Sequence, residues 1–216
     1  MERAWLSLVQ SMFPLTPSDD EASFSAQGMD FLTHRFDAAN LGSVSLMSAA
    51  GMGGQMKMTT LILNPFFVDA PLLSYDRIEA FGFDMLYLEL FDTTLQHQFD
   101  VAPLDAVREE AKRFPDMDPG SHWYDSMRMG KPLIKKVPIS ESVKVTETAE
   151  KYIRTFLAAC QNAPACDADA KRKAAAVYSE GLLTNGGPAT DPVKAALGEE
   201  KTVAFFRNTL FGTNNA

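Results

Sequence analysis

Hydrophobic and polar positions follow two rhythms along this chain, one before about residue 104 and another after about residue 140. In the first stretch, SFSAQGMDFLTHRF (23–36) and SVSLMSAAG (43–51) predict β-strands. GMGG (51–54) reads as a flexible turn. MKMTTLILNPFF (56–67) alternates and then turns continuously apolar, as a strand near the middle of a sheet does. Strand, Gly-rich turn and strand make a hairpin. VDAPLLSYD (68–76), punctuated by Asp and Pro, reads as a loop. EAFGFDMLYLEL (79–90) and TTLQHQFDVAPL (93–104) read as two more strands, joined through FDTT in a second hairpin. The series predicts a meandering antiparallel sheet and not alternating βαβ units.

Helical periodicity dominates the ends. Residues 3–13 predict a short amphipathic helix stopped by Pro14. LDAVREEAKR (104–113) predicts a short charged helix that ends before Pro115, followed by a loop at DMDPGSH. SESVKVTETAEKYIRTFLAAC (140–160) opens with Ser and acidic residues, as a helix start should. DADAKRKAAAVYSEGLL (167–183) predicts another helix, stopped by TNGGP. TDPVKAAL (190–197) and EEKTVAFFRNTLF (199–211) close the chain, broken at Gly198. The expected class is α+β, one domain over residues 1–216 with helices on both faces of the sheet.

Composition narrows the function. The 216 residues are 46% hydrophobic, a globular composition with room for a sizeable core. No apolar run reaches the ~20 residues that span a bilayer, and MERAWLSLVQSMFPL reads as a helix rather than a signal peptide. Cys160 and Cys166 allow at most one bridge, which favours a reducing, intracellular setting. The net charge of -8 argues against nucleic acid as a partner. One basic stretch stands out: RMGKPLIKK, with Arg128, Lys131, Lys135 and Lys136. It suits either a solvated edge or an acidic partner.

Most catalytic signatures are missing. There is no GxxxxGK[ST] loop, and GMGG precedes a strand where a dinucleotide loop would precede a helix. No GxSxG elbow occurs. His34, His97 and His122 share no metal-ligand spacing. Carboxyl chemistry remains. Asp84, inside FGFDMLYLEL, either points to solvent while Phe83 and Met85 face the core, or is buried with its pKa raised, as a proton donor requires. Asp191, before Pro192, is either a helix cap or a second acid.

Three stretches together resemble the ferredoxin-dependent bilin reductases. FGFD (81–84) is similar to that family's FGxD motif, and FDVAP (99–103) to its D-x-x-P strand end. DPVKAALGEEKTVAFFRNTLFG (191–212) is similar to its C-terminal pattern. The resemblance implies a three-layer α/β/α sandwich around a central antiparallel sheet. An open-chain tetrapyrrole, biliverdin IXα or 15,16-dihydrobiliverdin, would lie between the sheet and the C-terminal helices. It implies no bound metal or flavin, reduced ferredoxin as external electron donor, and bilin radicals between steps.

By the same resemblance, Asp84 matches the proton donor set against the pyrrole nitrogens, and Asp191 the second acid of phycoerythrobilin-forming members. Thr60 stands where the family usually carries His or Asn, which argues against phycocyanobilin-type chemistry because a hydroxyl cannot act as imidazolium does. Arg35, Lys136 and Lys194 are candidates for the bilin propionates. Arg128 and Lys131 are candidates for ferredoxin docking. The expected product is phycoerythrobilin or a related bilin, made by a monomer in the cytoplasm or a plastid stroma. The alternatives are a non-catalytic bilin carrier on the same fold, which Thr60 keeps open, and a reductase of a chlorophyll catabolite.

Overall fold

The computed structural model describes residues 2–187 and 190–214. Among these residues seven strands form one sheet whose spatial order is its sequence order: β1 (Leu15–Ala26), β2 (Met29–Ala38), β3 (Gly42–Gly51), β4 (Met56–Pro65), β5 (Leu72–Ala80), β6 (Phe83–Phe91) and β7 (Leu133–Pro138). Every neighbouring pair is antiparallel. The meander and the class expected from the sequence are therefore present. Six α-helices accompany it among the described residues: α1 (Glu2–Gln10), α2 (Ala102–Glu110), α3 (Ser142–Asn162), α4 (Ala168–Asn185), α5 (Thr190–Leu197) and α6 (Glu199–Ala204). The last helix continues as a π-helical turn over Phe205–Leu210. None of these helices is long and apolar enough to cross a membrane.

Strand alternation sends successive side chains to opposite faces, and each face has its own core. On one face Leu61, Leu63, Leu73, Tyr75, Leu86 and Leu88 pack under α1, α2 and α3, through Trp5, Val107, Tyr152 and Phe156 among others. On the other, Met47, Ile62, Leu72 and Phe91 pack under α4, α5 and the π turn through Tyr178, Val193, Phe205 and Phe206. The result is an α/β/α sandwich. β4 is buried on both faces from Thr59 to Pro65, which accounts for its uninterrupted apolar run.

Three polar side chains from neighbouring strands fasten the C-terminal turn to the sheet. Arg35 Nη1 donates to the Asn208 carbonyl at 3.1 Å, Ser45 Oγ to that of Leu210, and Asn64 Nδ2 to that of Phe211 at 2.8 Å. These carbonyls end a helix and have no intrahelical partner, so the sheet supplies their donors.

The strand boundaries differ from the sequence reading in four places. SFSAQGMDFLTHRF holds the turn between β1 and β2 at Gln27 and Gly28, both at positive φ. LLSYDRIEA, half of it read as loop, is β5. TTLQHQFDVAPL is not a strand: Asp69 accepts from the Leu95 and Gln96 amides at 2.7 and 2.9 Å, and Asp92 from the Thr94 amide at 3.1 Å. Carboxylates satisfy its backbone where a neighbouring strand would have done so. The strand beside β6 is instead β7, drawn from the basic stretch.

Candidate active site

The turn between β5 and β6 is Phe81-Gly82, at φ 51° and 82°. Two positive φ values match the right-handed strand twist of a two-residue hairpin. The turn therefore sits inside FGFD and fixes which way Asp84 points. Glu79 pairs in register with Asp84, and Asp76 with Tyr87.

Asp84 shares the face of Arg77 and Leu86, beneath the start of α3, and is 0% exposed. Arg77 Nε lies 2.9 and 3.0 Å from its two oxygens and Nη2 lies 2.6 Å from Oδ2; the Ser142 hydroxyl also donates to Oδ2. Burial overturns the solvent-facing reading of Asp84 and bears out the buried one, and the bidentate pair supplies its counter-ion. The carboxylate faces neither solvent nor the C-terminal helices, because the turn at Phe81-Gly82 puts it on the α3 side with a counter-ion from the adjacent strand.

A different acid faces the C-terminal helices. Asp76 stands on β5 beside Thr60 of β4, and the Thr60 hydroxyl donates to its Oδ1. Ser74 Oγ donates to Oδ2 at 3.2 Å. Asp76 is half-buried. Burial pushes its pKa up to about 6, against the two hydroxyl bonds that favour the ionised form, and the nearby Glu89 charge adds to the rise. Among the described residues no cation bonds to this carboxylate.

Around Asp76 the sheet presents ordered rows. Met58, Ile78, Met85 and Lys136 lie in register across β4 to β7, as do Thr60, Asp76, Tyr87 and Ile134. Four strands make a strip about 14 Å wide between the outer two. Met58, Asp76, Ile78, Met85 and Tyr87 all keep partial exposure there. Lys136 reaches over the Phe83 ring at 4.6 Å. The wall opposite is aromatic. Trp123 packs edge-on against Tyr124, and Tyr124 stands edge-on to both Phe91 and Tyr178. Trp123 Nε1 donates to the Gly186 carbonyl at 3.0 Å.

The other sequence candidates separate. Thr60, singled out by the resemblance, lies beside Asp76 on β4. Asp191 is exposed in the first turn of α5, after Thr190 has already begun the helix; its carboxylate oxygen lies 3.4 Å from where a side chain on Gly186 would begin. That places it at the rim of the aromatic wall. Lys194 pairs with Glu199 at 3.4 Å. Arg35 is held by Asp20 at 3.2 Å, Asp37 at 3.3 Å and the Asn208 carbonyl at 3.1 Å, as part of the C-terminal clamp.

The basic stretch is not one patch either. Arg128 turns inward to Glu89 at 2.7 Å, and Lys135 inward to Asp116 at 2.5 Å and the Phe114 carbonyl at 3.1 Å; Lys131 and Lys136 remain exposed. Alternation along β7 divides neighbouring lysines between the two faces.

The sequence reading missed Asp76, Ser74, Tyr87 and Glu89. A signal was available in SYDRIE, a strand-length run whose polar residues alternate with apolar ones on both faces.

No protein-family model matches the sequence, and no curated protein matches it. Solved structures do match. Phytochromobilin synthase from tomato, in complex with biliverdin, aligns over 99% of this chain and 84% of that chain, with a TM-score of 0.75 at 13% identity. The chain has the fold of that synthase.

Proposed function

We propose that this protein is a ferredoxin-dependent reductase of an open-chain tetrapyrrole, with Asp76 as the acid that protonates the bound bilin. The observation that carries this reading is the Asp76 carboxyl group, half-buried on a partly open apolar strip under the C-terminal helices, with its pKa near 6. At pH 6 about half of the Asp76 population holds its proton, so the group can both give one up and regain it near neutrality. The fold, the DPVKAALGEEKTVAFFRNTLFG stretch and the chemistry of the strip support the same ligand class.

Each reduction adds two electrons and two protons across one double bond. Reduced ferredoxin would supply the electrons singly. Asp76 would deliver a proton to the bilin and recover it from solvent. Thr60 and Ser74 fix the carboxyl orientation through their hydroxyls. The strip of Met58, Ile78 and Met85 would bury the flat, apolar face of the ligand, and Lys136 would meet a propionate. Asp191, at the rim beside Gly186, would serve as a second acid toward one end of the chain of rings. With Thr60 in place of an imidazole, phycoerythrobilin or its dihydro precursor is the expected product from biliverdin IXα or 15,16-dihydrobiliverdin.

The test is chromatographic identification of the product after anaerobic incubation with biliverdin IXα and reduced ferredoxin. A blue-shifted bilin product is expected. A bound biliverdin spectrum that never changes would contradict the enzyme and favour a carrier.

A further inference from the structure

A second acid lies on the same face as Asp76, and its counter-ion is held rigidly. Glu89 of β6 is 8% exposed and sits opposite Ser74 in register. The Ser74 hydroxyl in turn donates to Asp76, so one side chain separates the two acids. Arg128 Nε and Nη2 each lie 2.7 Å from Glu89 Oε1. The backbone around Arg128 is stitched to the end of β6 by the Asp92 amide on the Met127 carbonyl (2.7 Å) and the Met129 amide on the Leu90 carbonyl (2.8 Å). Its guanidinium also bonds Asp125 and lies 5.4 Å from the Tyr124 ring centre. An apolar pair here would stabilise the fold at least as well, because burying two charges costs desolvation that their attraction only partly offsets.

We propose that the Glu89–Arg128 ion pair sets the proton affinity of Asp76: the Glu89 carboxylate keeps the proton on Asp76, and Arg128 limits how strongly. The inference rests on the reading of Asp76 as the site's acid. Other groups face Asp76 as well. Tyr87 stands opposite it on β6, and Tyr124 with Asp125 comes from the segment before Arg128. Tyr178 comes from α4, while Thr60 and Ser74 donate hydrogen bonds. Arg128 bonds to both neighbouring acids, Glu89 and Asp125. Glu89 and Arg128 are positioning residues; neither needs to touch the bilin.

The experiment is a pH titration of the Asp76 carboxyl carbon by NMR in the bilin-free protein, its resonance assigned by loss in Asp76→Asn. Glu89→Gln keeps the side-chain shape and should lower the Asp76 midpoint by about one pH unit or more, because an opposite charge is then unopposed nearby. Arg128→Gln should raise the midpoint, and the double variant should fall between the two. If Glu89→Gln does not fold, the rise in Arg128→Gln alone decides. A midpoint that stays put, or moves the same way in both single variants, overturns the proposal. The readout needs no turnover, so it is separable from the functional reading. A moving midpoint in a protein that never reduces bilin sinks only the enzyme, and an unmoved midpoint in an active reductase sinks only the ion-pair control.

Discussion

Asp76 and Asp84 belong to one hairpin and face opposite sides of the sheet. Asp84 holds Arg77 and Ser142 beneath α3, whereas Asp76 holds two hydroxyls beneath the C-terminal helices. Asp84→Asn should therefore act on stability. It leaves the Arg77 charge at 4% exposure with one fewer carboxylate, at a cost of about 3 kcal/mol. Bilin reduction per folded molecule should stay close to that of the unaltered protein. Denaturant unfolding alongside activity measured on the folded fraction checks both halves.

The raised Asp76 pKa ties stability to pH. Folding moves this group from an ordinary 3.8 up to about 6, so between those values the folded protein holds a proton that the unfolded chain has released. Its stabilising contribution is whole below about pH 4 and is lost as pH rises through 6. Asn mimics the protonated acid. Asp76→Asn should thus stabilise the protein by about 2 kcal/mol at pH 8, allowing for the carboxyl's partial exposure, and by little at pH 4. Unfolding free energies at the two pH values test this, and equal shifts at both would contradict it.

Thr60→Val removes the hydroxyl that favours the ionised form of Asp76. The Asp76 midpoint should rise further above 6, and the pH–rate profile should move the same way. The lost hydrogen bond should cost about 1 kcal/mol. A profile that shifts downward would show that the hydroxyl does not serve the carboxylate.

Gly181 lies against the aromatic wall. A Cβ there would sit 2.1 Å from the Trp123 ring, a distance at which something must move. Gly181→Ala should push Trp123 off its bond to the Gly186 carbonyl, cost about 1–3 kcal/mol, and alter tryptophan fluorescence. Bilin affinity should fall with it. Unchanged fluorescence and affinity would remove Trp123 from the site.

The sequence made the sheet legible wherever one face was apolar. SVSLMSAAG and MKMTTLILNPFF announced β3 and β4, and the helices after residue 140 followed their periodicity. β5 was missed for a physical reason: Ser74, Asp76, Arg77 and Glu79 put polar groups on both faces, so neither rhythm survived. Asp76 sits in that strand because a site needs a buried polar group where a core would place an apolar one. Asp84 drew attention instead, since its apolar neighbours left burial or solvent exposure both open while its partner, Arg77, is visible only in the fold. Thr60 was singled out only through the resemblance, since as a β-branched residue in a regular strand it carries no signal of its own. How the basic stretch divides was not legible, because composition does not say that alternation separates Lys135 from Lys136.

The measurement closest to the central claim is the anaerobic reduction of bound biliverdin IXα by Asp76→Asn with reduced ferredoxin, followed by absorption spectroscopy. The variant should bind the bilin, accept electrons and stop before product, while the unaltered protein goes on to a blue-shifted bilin. Undiminished turnover by Asp76→Asn would contradict the assignment of Asp76 as the proton donor.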